Sequence, residues 1–296
     1  MQILSGYTYD LTQGPCLQLD DITSQPTVRH RVPIWSQYIC IKPLATGYCI
    51  GGYELLTRRA ICCPSQAQIK DSAPYCSNCS QTIQFNPAFY HVAPSQLSSY
   101  QQHYNLEPHV VYLAYFGKNM IKVGIAHTKR LYSRWLEQGA RAAVVVQYMQ
   151  DAYAARGLEE WVSTTYHIPE RITSRQKQQH LHTPYSFEEA SIELTSWLNL
   201  IYNEMDSLSI GHPIQDLQQY YFIQQQPSTL YESTKGSQHM ITGVVIGMIG
   251  ELLIYKQQEY NFIQPIKQFL GRAQVAFGEA IQSARINIQT KLDLFG

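Results

Sequence analysis

The sequence predicts an α+β fold in several parts, and three observations lead to it. Residues 1 to about 108 hold short β-like runs with almost no helical periodicity, residues 109–180 alternate strand and helix signals, and further β runs follow residue 236. At 296 residues, 45% hydrophobic and 15% charged, the chain exceeds one small core and is too apolar to stay disordered.

Taken in order, Thr27–Ile34 and Tyr38–Ile41 read as strands among Pro and Ser residues. From His109, the run Val110–Phe116, a turn at Gly117-Lys118-Asn119 and the run Met120–Ile125 predict a hairpin. Lys129–Gln138 reads as an amphipathic helix, with Leu131, Trp135 and Leu136 on one side, Arg130, Arg134 and Gln138 on another, and Gly139 as a stop. Ala142–Tyr148 is a third strand. Asp151 is placed to cap a helix reaching about Tyr166, with Ala154, Leu158, Trp161 and Thr165 as its stripe. Ser186–Met205 repeats Phe187, Ala190, Leu194, Trp197, Leu198 and Ile201 at helical spacing. After a Gln-rich connection, Ile241–Val245, Leu252–Tyr255 and Tyr260–Ile263 suggest a small C-terminal β unit. The expected division is a β/loop domain at 1–108, a β-β-α-β-α core at 109–180, a helical and Gln-rich connection at 181–235, and a small β unit at 236–296.

The start, Met-Gln-Ile-Leu-Ser, has neither the basic region nor the apolar region of a secretory signal. The most apolar stretch, Ile241–Tyr255, falls short of the roughly 20 residues a spanning helix needs and is cut by Gly243, Gly247, Gly250 and Glu251. The expectation is a cytoplasmic protein without a membrane partner.

Lys+Arg and Asp+Glu both number 22, so the total offers no bulk attraction to polyanions. The balance is uneven along the chain. Residues 109–180 hold ten basic against five acidic side chains, whereas residues 181–296 hold six against eleven. Lys118, Lys122, Lys129 and the arginine face can neutralise phosphates, and the acidic C-terminal part offers a surface for a protein partner.

Of seven cysteines, four cluster between residues 62 and 79, a pattern that in a reducing compartment points to metal rather than disulfides. Cys76-Ser77-Asn78-Cys79 has the spacing with which two thiolates share one tetrahedral ion at about 2.3 Å. The second pair comes from Cys49, Cys62 and Cys63. Adjacent cysteines point in different directions, and Cys63 precedes the turn-fixing Pro64, so Cys49 and Cys63 are preferred. A closed set of four thiolates implies structural Zn²⁺. His91 and His103 are off-spacing and read as loop residues.

Val110-Val111-Tyr112, Lys122-Val123-Gly124, Arg134 and Glu159 fall in elements whose order and spacing resemble the GIY-YIG nuclease core over roughly 60–70 residues. Over nearly the whole chain, the sequence resembles the bacterial domain-of-unknown-function family 2797. That likeness lies in Cys49-Ile50-Gly51, Cys63-Pro64, Cys76-x2-Cys79, Phe85-Asn86-Pro87-Ala88-Phe89-Tyr90-His91, Val111-Tyr112-Leu113-Ala114, Lys122-Val123-Gly124-Ile125 and Arg134-x2-Glu137-Gln138-Gly139-Ala140. Together the resemblances imply a GIY-YIG-like core between a zinc-bearing N-terminal domain and the C-terminal β unit.

In such nucleases a tyrosine lies near the attacking water, an arginine binds phosphate and a glutamate holds a divalent ion. The resemblance carries these roles to Tyr112, Arg134 and Glu159, with Glu160 as the alternative and Mg²⁺ or Mn²⁺ as the ion. Val110 stands in place of the first motif's glycine and Lys122 in place of the second motif's tyrosine, so Lys122 joins the candidate catalytic residues as a phosphate ligand or base. His127, just past the second strand, is a further candidate for proton transfer. The implied function is metal-dependent endonuclease action on DNA or RNA, weighed against nucleic-acid binding without cleavage and against a protein-interaction adaptor.

Overall fold

The computed structural model describes residues 1–55, 57–69, 73–83, 85–205, 212–223, 229–232 and 240–278. It is mixed α+β, and the chain divides into two compact units. The first comprises Met1–Tyr53, Ala60–Thr82 and Tyr220–Gly296; the second comprises Glu54–Arg59 and Ile83–Gln219.

Strands β1 (Gln2–Asp10), β2 (Gly14–Asp21), β3 (Val28–Pro33) and β4 (Tyr38–Pro43) are followed by four short ones, β5 (Gly47–Tyr48), β6 (Gly52–Glu54), β7 (Arg59–Ile61) and β8 (Gln68–Ile69). Helices α1 (Ser77–Thr82) and α2 (Ser99–Leu106) precede β9 (His109–Gly117), β10 (Met120–His127), α3 (Leu131–Gln138), β11 (Ala142–Met149), α4 (Ala152–Tyr166), α5 (Ser174–His180) and α6 (Phe187–Met205). The two-residue strands β12 (Gln215–Asp216) and β13 (Tyr231–Glu232) lead to β14 (Ile241–Ile249), β15 (Leu252–Gln257), β16 (Tyr260–Pro265) and β17 (Ala273–Phe277). Among the described residues no helix is long and apolar enough to cross a membrane.

The first unit is built on a nine-stranded sheet in the order β13-β16-β15-β14-β4-β17-β1-β2-β3. Strand β4 lies between two strands from the far end of the chain, and Ile41 is opposite both Ile241 and Val275. This corrects the expected separation of a 1–108 domain from a 236–296 unit. Ile39 and Ile41 are fully buried, and their strand's backbone groups need partners on both sides, which only β14 and β17 supply. The outer strand β3 carries Arg29 and Arg31, charges that blunt a sheet edge. Residues 206–211, 224–228 and 233–239 of the expected connection and its junction, and 279–296 of the expected C-terminal unit, lie outside the described residues.

In the second unit the sheet order is β10-β9-β11-β12, antiparallel throughout. All nine residues of β9 are buried. Val111, Leu113 and Tyr115 alternate into an aliphatic core with Ala155 and Val162 of α4 and Leu194, Leu198 and Ile201 of α6. The intervening Tyr112 turns to the other face, where its ring meets Trp135 of α3 edge-on at 5.9 Å. The β9–β10 hairpin turns at Lys118-Asn119, with Asn119 in the left-handed region at φ 58°.

Two helices differ in detail from expectation. The α helix α3 starts at Leu131, because Thr128–Arg130 forms a 3-10 turn in which the Lys129 N–H donates to His127 Nδ1 at 3.1 Å. Its end is as anticipated: Gly139, at φ 78°, and Ala140 donate back to the carbonyls of Leu136 and Trp135 at 2.9 and 3.0 Å. In α4, Asp151 caps through Ala154 N–H at 2.7 Å, but the buried stripe is Ala152, Ala155, Glu159 and Val162, one position away from the expected one. Thr165 is exposed, and Leu158 and Trp161 pack at the margin of the core. The phase moved because Glu159 is buried as an ion pair with Arg156, which periodicity of apolar residues does not register.

Because β14 and β17 bracket β4, deleting residues 236–296 is expected to unfold the first unit. Circular dichroism and limited proteolysis of the truncated chain would check this; a truncated protein retaining the full strand signal would contradict it.

Candidate functional site

Two constellations stand out, one in each unit. In the first, the ligand atoms of Cys49, Cys63, Cys76 and Cys79 all lie within 4.8 Å of one another. Four sulfurs around a tetrahedral ion at about 2.3 Å are about 3.8 Å apart, and Cys63 Sγ and Cys76 Sγ are 4.0 Å apart. The donor set therefore fits a metal ion such as zinc. Cys62 is outside it, with Sγ directed to Asp20 Oδ1 at 4.0 Å. Cys16 and Cys40 are buried in the sheet strands β2 and β4.

The loops are shaped for thiolates. Cys49 Sγ accepts N–H donation from Cys76 at 3.1 Å and Gly51 at 3.4 Å. A Cβ on Gly51, which sits at φ 83°, would lie 1.8 Å from the Ile61 carbonyl, so this turn accepts no side chain. Arg29 holds the loop to the sheet, donating Nε and Nη2 to Asp20 at 2.6 and 2.8 Å and Nη2 to the Ile50 carbonyl at 2.7 Å. Burial pushes the Cys49 and Cys79 thiols up, so the cluster resists full ionisation without a cation. For Cys63 burial is outweighed by the Ser65 hydroxyl and backbone N–H groups, which pull it down to about 7.

The second constellation is a cleft of about 330 Å³ in the second unit, lined by side chains from α2, β9, β10, α3 and α4 and by the segment around residues 85–90. Arg134 and Glu159 both line it. Arg134 is exposed and, unlike Arg130 and Arg156, makes no ion pair among the described residues. Arg130 pairs with Glu137 at 3.2 Å; Arg156 Nη1 bridges Glu159 at 2.6 Å and Glu170 at 2.7 Å. The Arg156 guanidinium also lies over the Tyr90 ring, 4.4 Å from its centroid. Burial raises the Glu159 carboxyl above its usual range, against the pull of Arg156. Glu160 is exposed on the opposite side of the helix stripe.

Tyr112 and Lys122 do not line the cleft. Tyr112 is 0% exposed, its hydroxyl donates to Gln138 Oε1 at 3.0 Å, and burial pushes it up to about 12. Directly opposite in register, Gly124 makes room for it: a Cβ there would lie 2.6 Å from the Tyr112 hydroxyl. Lys122 is 7% exposed and donates to the Glu170 carbonyl at 3.3 Å. Burial, with Arg134 nearby, brings its ammonium down to about 8. Of the two roles expected of Lys122, phosphate ligand or base, burial beside Arg134 is the setting for the base.

His127 also lines the cleft, but both ring nitrogens are engaged: Nδ1 accepts from Lys129 N–H, which leaves Nε2–H to donate to Glu107 at 2.8 Å. Arg58 reaches the same carboxylate. Sequence reasoning missed His109, Arg156 and Glu170. His109 Nδ1 meets the Glu107 carbonyl at 2.8 Å, so it carries the proton and leaves Nε2 as the acceptor. Its pairing opposite His127 at the end of the hairpin was the available signal.

The described acidic residues after 181 belong to both units. Glu188, Glu189 and Glu193 sit in α6 of the second unit, while Glu251 is buried in the first and pairs with Lys267.

Three outcomes are expected. Replacing Cys76 and Cys79 with Ser should remove about one metal equivalent per chain and lower the thermal midpoint, read by elemental analysis and calorimetry. Gly124→Ala should destabilise by about 1–3 kcal/mol in denaturant titration, because strand and tyrosine cannot both keep their places. Charging Lys122 in its buried position costs stability below about pH 8, and the cost fades as pH rises from there towards 10.5, where the unfolded lysine also deprotonates. Lys122→Met should therefore stabilise by about 1–3 kcal/mol at pH 7 and flatten that rise.

No curated protein and no solved structure matches this chain. Residues 48–271, about three-quarters of the chain and spanning both the four cysteines and the cleft, match the family described as protein of unknown function (DUF2797). The chain belongs to that family.

Proposed function

We propose that the chain is a metal-dependent endonuclease with a GIY-YIG-like core, hydrolysing phosphodiester bonds in DNA or RNA, and that its four cysteines hold a structural Zn²⁺. One observation carries the reading. Arg134 and Glu159, from separate helices, line the same cleft, and Arg134 is the arginine there without an ion pair among the described residues. Its guanidinium suits the non-bridging oxygens of a phosphate through two parallel charge-assisted hydrogen bonds. The β-β-α-β-α order of residues 109–166 also supports it.

A Mg²⁺ or Mn²⁺ ion fits Glu159, aided by Glu170, since such ions keep most of their waters and take one or two carboxylates. When bound it would neutralise charge on the phosphate and make a water more acidic. Among the chain's own groups, Tyr112 keeps its proton at neutral pH and acts through Gln138 as a positioning residue. With its proton on Nδ1, His109 presents Nε2 as an acceptor and is the better proton acceptor.

The test is incubation with supercoiled plasmid and with structured RNA in Mg²⁺ or Mn²⁺. Glu159→Gln and Arg134→Ala should each reduce nicking by about 100-fold or more. Absence of glutamate-dependent cleavage with every substrate would leave nucleic-acid binding on the same core. A specific observation favours that second reading: Glu159 and Glu170 already share Arg156.

A further inference from the structure

The cleft also has an aromatic lining that phosphate chemistry does not use. Phe85, Phe89, Tyr90 and Tyr104 line it together with Asn105. Asn105 is 1% exposed; its Nδ2 donates to the Tyr153 hydroxyl at 3.4 Å, and its Oδ1 is buried with no hydrogen-bond partner. An amide oxygen left without a donor in a buried position is costly unless something supplies one. The neighbouring wall is built rather than incidental. Gln101, one turn earlier on α2 and also 1% exposed, clasps the backbone of Asn86, accepting its N–H at 2.7 Å and donating to its carbonyl at 2.8 Å. That clasp fixes Phe85, whose ring meets Tyr104 edge-on at 6.1 Å and remains 38% exposed.

An exposed aromatic face, a buried amide oxygen seeking a donor and an arginine without an ion pair among the described residues, all in one cleft, match three features of a nucleotide: the base's π face, its exocyclic amine and its phosphate. We infer that the cleft takes an unpaired nucleotide of a nucleic-acid strand, with the base against Phe85 and Tyr104 and its exocyclic amine donating to Asn105 Oδ1. The inference rests on the phosphate reading of Arg134 and narrows the substrate class to single-stranded or locally opened nucleic acid. A paired base has its amine engaged with its complement and its faces stacked, so duplex interior does not satisfy Asn105.

The experiment is competition by fluorescence anisotropy on the full zinc-loaded chain without added Mg²⁺ or Mn²⁺. The competitors are trinucleotides of deoxycytidine, of deoxyuridine and with an abasic centre, and cytidine monophosphate. The deoxycytidine trimer should bind about 10-fold tighter than the deoxyuridine trimer, which lacks the amine, and tighter still than the abasic one. Asn105→Leu should erase the cytosine preference, whereas Asn105→Asp, which keeps an acceptor oxygen, should retain the ratio even if every affinity falls. Phe85→Ala should bring the base-containing trimers close to the abasic one. Equal affinities for all three trimers, or a preference for uracil, would overturn the base site while leaving Arg134 as a phosphate ligand. If the monophosphate binds as tightly as the trimers, the strand is excluded in favour of a free nucleotide. If Arg134→Ala weakens none of the competitors, the phosphate reading fails as well.

Discussion

Strand β9 has no exposed residue, and the architecture of the second unit follows from that double-sided burial. Its odd-numbered Val111, Leu113 and Tyr115 feed the aliphatic core with α4 and α6, so Tyr112 is committed to the opposite face. There it needs Gly124 across the hairpin, because any side chain at that register position would occupy the space of its hydroxyl. The same register puts Lys122 two residues earlier on the same face, in a setting where charge is costly. It also places His127 directly opposite His109 at the end of the hairpin, where both line the cleft. One buried strand thus fixes a sealed tyrosine, a destabilised lysine and a pair of cleft histidines.

The elements themselves were largely legible. Apolar alternation located β9, β10 and β11, Asp151 marked the start of α4, and Gly139 marked the end of α3, because each signal is local and arises from backbone chemistry near the residue itself. The four-cysteine group was legible for a similar reason: thiolate spacing in the C-x2-C turn is set by a few bonds, and the Pro after Cys63 separated it from Cys62.

What escaped was non-local. Pairing of β4 with β14 and β17 joins residues about 200 positions apart, and nothing in Tyr38–Pro43 specifies its partners. The stripe of α4 was misplaced by one residue because a buried Glu159–Arg156 pair looks polar in sequence while behaving as part of the packed face. Arg156 and Glu170 are 14 residues apart and meet only through the fold, and Asn105 looked like an ordinary helix residue until its burial and unmet oxygen became visible.

Arg156 sets the electrostatic terms of the cleft. Its Nη1 is shared by two carboxylates, so each carboxylate is partly neutralised and Glu159 is buried beside a cation rather than alone. Under the nuclease reading, Glu159 would hold a divalent ion with a carboxylate that now accepts from Arg156, so the two cations would share or compete for it. Such an exchange would leave Arg156 the face of Tyr90, and the Glu170 carboxylate only where Glu170 does not itself hold the ion. A buried arginine held by a single carboxylate would pay for the same exchange with an unpaired charge in a low dielectric, which costs several kcal/mol. Under that reading, the double pairing that weighs against cleavage in a static view would also let Glu159 be released, with the positive charge of Arg156 still at the cleft wall to face a phosphate.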